Sequence, residues 1–256
     1  MTLRFTVWCW ALVTLIGQWL FVYYLAAQFG ATTLSGRFAR WNEAHVVMGY
    51  VSGDPLGNLA FAAHVLLAGV VLACGILQLV PQIRERAIAF HRWNGRAFLL
   101  VAVVVSLDGL WMIWVRHATI EPVNSIAVSL DAVLVLAFVT VAWRAALARD
   151  IDRHRRWALR TFMVANAVFF IRIFIGAWGV FTHGAGMTEG MSGPMNYFFE
   201  FACYLLPLAV LELYLRAEAS TRPGLRFAAG LVLLLAAVYM TVGTVAYMPH
   251  KLAMLA

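Results

Sequence analysis

Seven long apolar runs decide what kind of molecule this chain can be. They are Phe5–Gln28, Asn58–Val80, Ala97–Val115, Ser125–Leu147, Thr161–Phe181, Tyr197–Leu215 and Phe227–Met248. About 20 such residues cross the hydrocarbon layer as a helix, whereas a membrane barrel needs strands of roughly 10 residues with alternating polarity. No alternation is present, so the reading is all-α: a polytopic transmembrane bundle of seven helices, one domain over residues 1–256. The composition agrees, with 63% hydrophobic and 12% charged residues, about half the charged share of a soluble domain. The first run follows Arg4 and ends near Ala26 and Ala27, as a signal peptide does. It is much longer than a signal core, and Tyr23 and Tyr24 suit an interfacial aromatic belt. It reads as a retained helix.

A net charge of +7 raises the question of nucleic acid, and the distribution of the charge answers it. Arg4, Arg84, Arg86, Arg92, Arg96, Arg144, Arg149, Arg153, Arg155, Arg156, Arg160, Arg216, Arg222 and Arg226 all fall at one end of the runs. The other end holds Arg37, Arg40, Arg116 and Lys251. This is the positive-inside pattern. It predicts a multi-pass protein with a cytoplasmic N-terminus and cytoplasmic loops at 82–96, 148–160 and 216–226. The lipid bilayer is the expected partner, and nucleic acid is not. Cys9, Cys74 and Cys203 lie inside runs with no Cys-x-x-Cys spacing, so neither zinc nor a disulfide framework is suggested. No phosphate loop, nucleophile elbow, zinc-protease helix or dinucleotide fingerprint occurs, so no enzyme class is assigned. The lone lysine, Lys251, lies beyond the seventh run, which excludes a retinal-type Schiff base within it.

Ionisable residues inside the runs carry the chemistry, because they are costly in a bilayer and tend to face inward in functional sites. His64, Asp108, Asp131, Arg172 and Glu200 fall on five helices at similar depth in the outer half. On the second helix His64, Ala68, Val71, Gly75 and Gln78 form one stripe; on the sixth, Tyr197, Glu200, Tyr204 and Pro207 share a face. The expectation is a buried polar pocket of His64, Asp108, Asp131, Arg172, Glu200, Tyr204 and Gln78, with Arg172 paired to Asp108 or Asp131.

Two loops at the arginine-rich end look alike: His91-Arg92-Trp93-Asn94-Gly95-Arg96 and His154-Arg155-Arg156-Trp157-Ala158-Leu159-Arg160. Each gives His-Arg, a Trp, and an Arg three residues after the Trp, which suggests repeated helical hairpins. His91 and His154 would then converge at equivalent helix starts, where they are candidate cofactor ligands. Together with His64, Gly75-x-x-Gln78-x-x-Pro81, Arg84 and Arg172, these motifs resemble a family of bacterial predicted membrane proteins whose shared domain has no assigned function. The resemblance covers residues 58–216 and implies a multi-pass topology in a bacterial inner (plasma) membrane, without an activity. More distantly, the arrangement is similar to the b-type dihaem membrane cytochromes, which use four histidines on four successive helices. Here the fourth helix offers Asn124, Val128 and Asp131 instead, so the resemblance implies one haem b at most.

A third chemistry lies in the loop after the fifth helix, which holds His183, Met187, Met191 and Met195. His45, Met48, His117, Met248, His250 and Met254 fall on the same side. Thioether and imidazole ligands suit copper. Three functions therefore follow as expectations: a membrane redox protein holding haem b, with a quinone or redox partner; a proton-coupled transporter, sensor or small-ligand binder; and a copper-handling protein.

Overall fold

The computed structural model describes residues 2–44, 49–118 and 121–255, and among them there is no strand. Helix α1, Leu3–Leu34, runs on through a π-helical turn at Ala26–Gly30. After a 3₁₀ turn at Phe38–Ala44 come α2 (Pro55–Leu79), α3 (Pro81–Arg86), α4 (Ile88–Trp114) and α5 (Pro122–Leu147). Then follow α6 (Ile151–Ala165), α7 (Ala167–Thr182), α8 (Pro194–Glu218) and α9 (Pro223–Ala253). Six of these, α1, α2, α4, α5, α8 and α9, are long and apolar enough to cross a membrane singly. Counted as one broken span bent by 55°, α6 and α7 make the seventh.

The ends of the helices follow from local chemistry. Proline stands in the first turn of α2, α5, α8 and α9, where its missing N–H costs nothing. Asp54 caps α2 by accepting the Gly57 amide at 2.8 Å, and Asp150 caps α6 by accepting that of Arg153 at 3.0 Å. This last cap corrects the sequence reading. The arginine-rich stretches expected as loops are largely helical, since α4 begins at Ile88 and α6 at Ile151. Arginine is a good helix former, and its long stem carries the charge away from the apolar layer. The fifth run also departs from a straight helix. Within it Asn166 turns its Nδ2 back to donate to the Phe162 carbonyl at 2.6 Å, and the chain bends there.

Neighbouring helices close a ring, α1 against α2, α2 against α4, α4 against α5, α5 against α8, α8 against α9, and α9 back against α1. The broken span crosses its interior: α6 leans on α5 and α8, while α7 leans on α9 and α8. Val164, Phe169, Ile173 and Ala177 are accordingly sealed from solvent. The outer faces are as apolar as the core. Phe5, Trp8, Leu12, Ile16, Trp19 and Tyr23 form an exposed helical stripe on α1, matched on α9 by Phe227, Leu231, Leu235, Val238 and Val245. Water would not support such surfaces; lipid tails do.

Candidate functional site

The seam between α5 and α8 holds a buried polar group in the arginine-poor half. Asn124, Ala127 and Asp131 share one face of α5, and Glu200, Cys203 and Tyr204 oppose them from α8. Asn124 Nδ2 donates to Glu200 Oε2 at 2.7 Å, and the Tyr204 hydroxyl donates to the Ala127 carbonyl at 3.2 Å. Glu200 and Tyr204 are 6% and 1% exposed. One turn beyond Ala127, Asp131 lies within electrostatic range of Cys203 and Tyr204. Its Oδ1 is shut off from solvent and has no hydrogen-bond partner. In α8, Pro207 lacks the N–H that would bond the Cys203 carbonyl, so the same seam carries a loosened backbone acceptor.

The other intramembrane groups divide. His64 and Asp108 meet across α2 and α4, with Nδ1 to Oδ2 at 3.2 Å. Gly109 leaves the room, since a Cβ there would stand 3.2 Å from the imidazole. Arg172 makes neither of the expected ion pairs: among the described residues no carboxylate lies within 4.0 Å of it. Asp108 is taken by His64, and Asp131 faces α8. Arg172 instead donates to the Val168 carbonyl at 2.6 Å and lies over the Phe21 ring at 5.2 Å. It remains within electrostatic range of Glu200, Tyr24 and Lys251. Gln78 belongs elsewhere. It lies fourteen residues, about 21 Å of helix, from His64, and its Nε2 donates to the His91 carbonyl at 3.1 Å.

At the arginine-rich end, His91 and His154 lie within electrostatic range of one another. His154 Nδ1 is 2.9 Å from the Ala142 carbonyl. A carbonyl only accepts, so Nδ1 carries a proton, and in the neutral ring the lone pair is then on Nε2. His91 Nδ1 is buried without a partner. The two Trp-x-x-Arg motifs make matching stacks, Arg96 over Trp93 at 4.7 Å and Arg160 over Trp157 at 4.8 Å. Arg160 also grips Glu212 through two bonds, at 2.6 and 2.9 Å, and Arg155 grips Glu218 through two at 2.8 Å. These fasten α6 to α8.

The loops at the opposite end are tied by a residue that sequence reasoning passed over. Arg116, its side chain only 7% exposed, donates to Asp54 Oδ2 at 2.9 Å, the Gly49 carbonyl at 3.0 Å and Asn58 Oδ1 at 3.1 Å. The Gly57 amide and then Arg116 hold the Asp54 carboxyl below the usual carboxylate range. A Cβ on Gly57 would collide with both Asp54 and the guanidinium. The readable part of this knot was Asp54-Pro55, a cap followed by an N1 proline. Of the copper candidates, Met191 Sδ accepts from Asn196 Nδ2 at 3.5 Å, and Met195 packs on Gly186, where a Cβ would come within 2.8 Å. His183 ends α7 in the left-handed conformation, φ 55°. Met187 has its amide bonded to the Gly184 carbonyl at 2.9 Å. His45 and Met48 lie outside the described residues. Among the described residues no three His, Cys, Asp or Glu side chains cluster as a metal site.

Comparison with curated proteins and with solved structures gives no match. A family model does match, over residues 61–214, a segment that contains the α5–α8 seam, the His64–Asp108 pair, Arg172, His91 and His154. That segment is more than half of the chain, and the chain therefore belongs to the family described as Predicted membrane protein (DUF2306).

Proposed function

We propose that this membrane protein takes up a proton, or a small guest bearing an N–H or O–H donor, in the seam between α5 and α8. Asp131, Glu200 and Tyr204 hold it. One observation carries the reading: Asp131 Oδ1 is enclosed between apolar helices with no donor opposite it. A carboxylate oxygen left unmatched in such a place is expensive, and a shared proton or a bound donor removes the cost. Glu200, bonded on one oxygen by Asn124, and the Arg172 charge nearby supply the rest of a relay. The reading takes the arginine-rich end as cytoplasmic, as the positive-inside tendency suggests, in a bacterial inner membrane, as the family resemblance suggests. The seam then lies in the outer half of the membrane, as suits a proton-coupled transporter or a sensor. The test is proton flux into proteoliposomes with an enclosed pH dye under an imposed pH gradient. Asp131→Asn is expected to lower the flux at least tenfold and Glu200→Gln severalfold. Flux unchanged in Asp131→Asn would sink the reading.

A second reading, one haem b held by His91 and His154, is favoured by the fixed tautomer of His154. Its Nδ1–H is bonded to a backbone carbonyl, which leaves Nε2 as a ligand atom. His91 contributes a ring nitrogen with no other partner. Detergent-purified protein from haem-replete cells is then expected to show a Soret band that shifts on reduction. His91→Ala and His154→Ala should abolish the band, and His64→Ala should not. A colourless preparation ends this reading and leaves the first untouched.

A further inference from the structure

The break in the central span holds one member of a second buried polar group, shared with α1 and α9, that neither reading uses. Asn166 and Gln18 are both 0% exposed, Thr14 is 1% and Thr244 is 8% exposed. The orientation of the two amides follows from their partners. Asn166 Nδ2 must face the Phe162 carbonyl, 2.6 Å away, because an oxygen there would meet another oxygen. Asn166 Oδ1 therefore faces Gln18, and Gln18 must present its Nε2, at 2.7 Å. That leaves Gln18 Oε1, a pure acceptor, pointing elsewhere with no donor in reach.

Two further orphans stand beside it. Thr14 is one turn before Gln18 on the same face of α1, and its Oγ1 is buried and unbonded. Thr244 Oγ1, also buried and unbonded, crosses from α9 to within 3.0 Å of where a Gly17 Cβ would lie. Phe169, on the first turn of α7, reaches the same spot at 3.0 Å. Three unsatisfied oxygens thus stand on the helices that meet at the break, α1 and α9. Each such atom is costly if left bare.

We infer that a water molecule is bound at this break, donating to Gln18 Oε1 and bonded to the hydroxyls of Thr14 and Thr244. The chemistry of the group selects it. The three ligand atoms are neutral, and a buried water commonly makes about three hydrogen bonds. A cation is disfavoured, because Arg172 lies six residues along the span, about 9 Å away, with no carboxylate within 4.0 Å to neutralise it among the described residues. An anion would face Gln18 Oε1, which repels it. The water completes what Asn166 begins: it lets an interrupted helix persist in an apolar layer, where backbone and side-chain polar groups need partners.

The test is radiolytic labelling of the full chain in nanodiscs, in which millisecond X-ray pulses turn bound water into hydroxyl radicals where it sits. Phe169, 0% exposed, is reached only from inside, and the equally enclosed Phe199, 3% exposed, serves as the distant control. Phe169 is expected to label at least fivefold faster than Phe199. Gln18→Leu should bring it to the control rate, and Thr244→Val, which keeps volume and is the gentler change, should lower it at least twofold. Phe169 labelling no faster than Phe199, or equally fast in wild type and Thr244→Val, would overturn the inference.

Discussion

Single side chains settle more of this molecule than their scarcity suggests. Asp54 is one case. Its carboxyl is held below the unfolded value, about 3.9, first by the Gly57 amide and then by Arg116. A depressed carboxylate contributes stability above its unfolded pKa and loses it as pH falls through the folded one. Thermal scans of the solubilised protein should therefore give a Tm independent of this group above about pH 5 and falling below it. Asp54→Asn should remove that part of the acid sensitivity. Arg116→Ala should lower Tm by several degrees at every pH, since it strips partners from Gly49, Asp54 and Asn58 together. An unchanged Tm would contradict the knot. The sequence displayed Arg116 as one of few cations at its end of the chain but hid its partners, which lie some sixty residues upstream. Glu212 was hidden likewise, inside an apolar run and visible only beside Arg160.

Among the helices, the apolar runs foretold the membrane spans and missed two features for the same reason. A hydropathy run reports how oily a segment is and says nothing of what its few polar residues bond. So Asn166 gave no sign that it would turn back on Phe162 and bend its span, and the charged stretches before Ala97 and Thr161 gave little sign of being helical. Close packing between helices makes its own prediction. A Cβ on Gly243 would collide with the Ile173 carbonyl, whereas one on Gly179 meets nothing within 4 Å. Gly243→Ala should thus destabilise by roughly 1–3 kcal/mol or more, because α9 must move off α7. Gly179→Ala, at an open helical position, should be neutral or stabilising by up to about 1 kcal/mol. Urea or thermal unfolding of the two variants compares them, and equal effects would show that α7 and α9 do not approach as described.

For the whole molecule, the arginine asymmetry was plain in the sequence, and the helices carry it to one end: α1, α8 and α9 meet there through Leu3, Ala217, Ala229 and Leu233. A reporter active only in the cytoplasm, fused after Ser220, should work, and one fused after Met187 should be silent. The reverse would invert the topology. The candidate site was harder to read. Five ionisable residues at one depth could be listed, but only packing separates them into a His64–Asp108 pair, an Arg172 bonded to the Val168 carbonyl and the α5–α8 seam. Helical phase shows which residues share a face and not which neighbour that face meets. The seam can be interrogated with a lipophilic carbodiimide, which adds to a carboxyl that holds a proton in an apolar setting and leaves an N-acylurea that mass spectrometry locates. Asp131 should be modified at neutral pH, while Glu43, with 48% of its side chain exposed and paired to Arg40, should not. Asp131 left unmodified, or modified no faster than Glu43, would contradict a proton-accepting seam between α5 and α8.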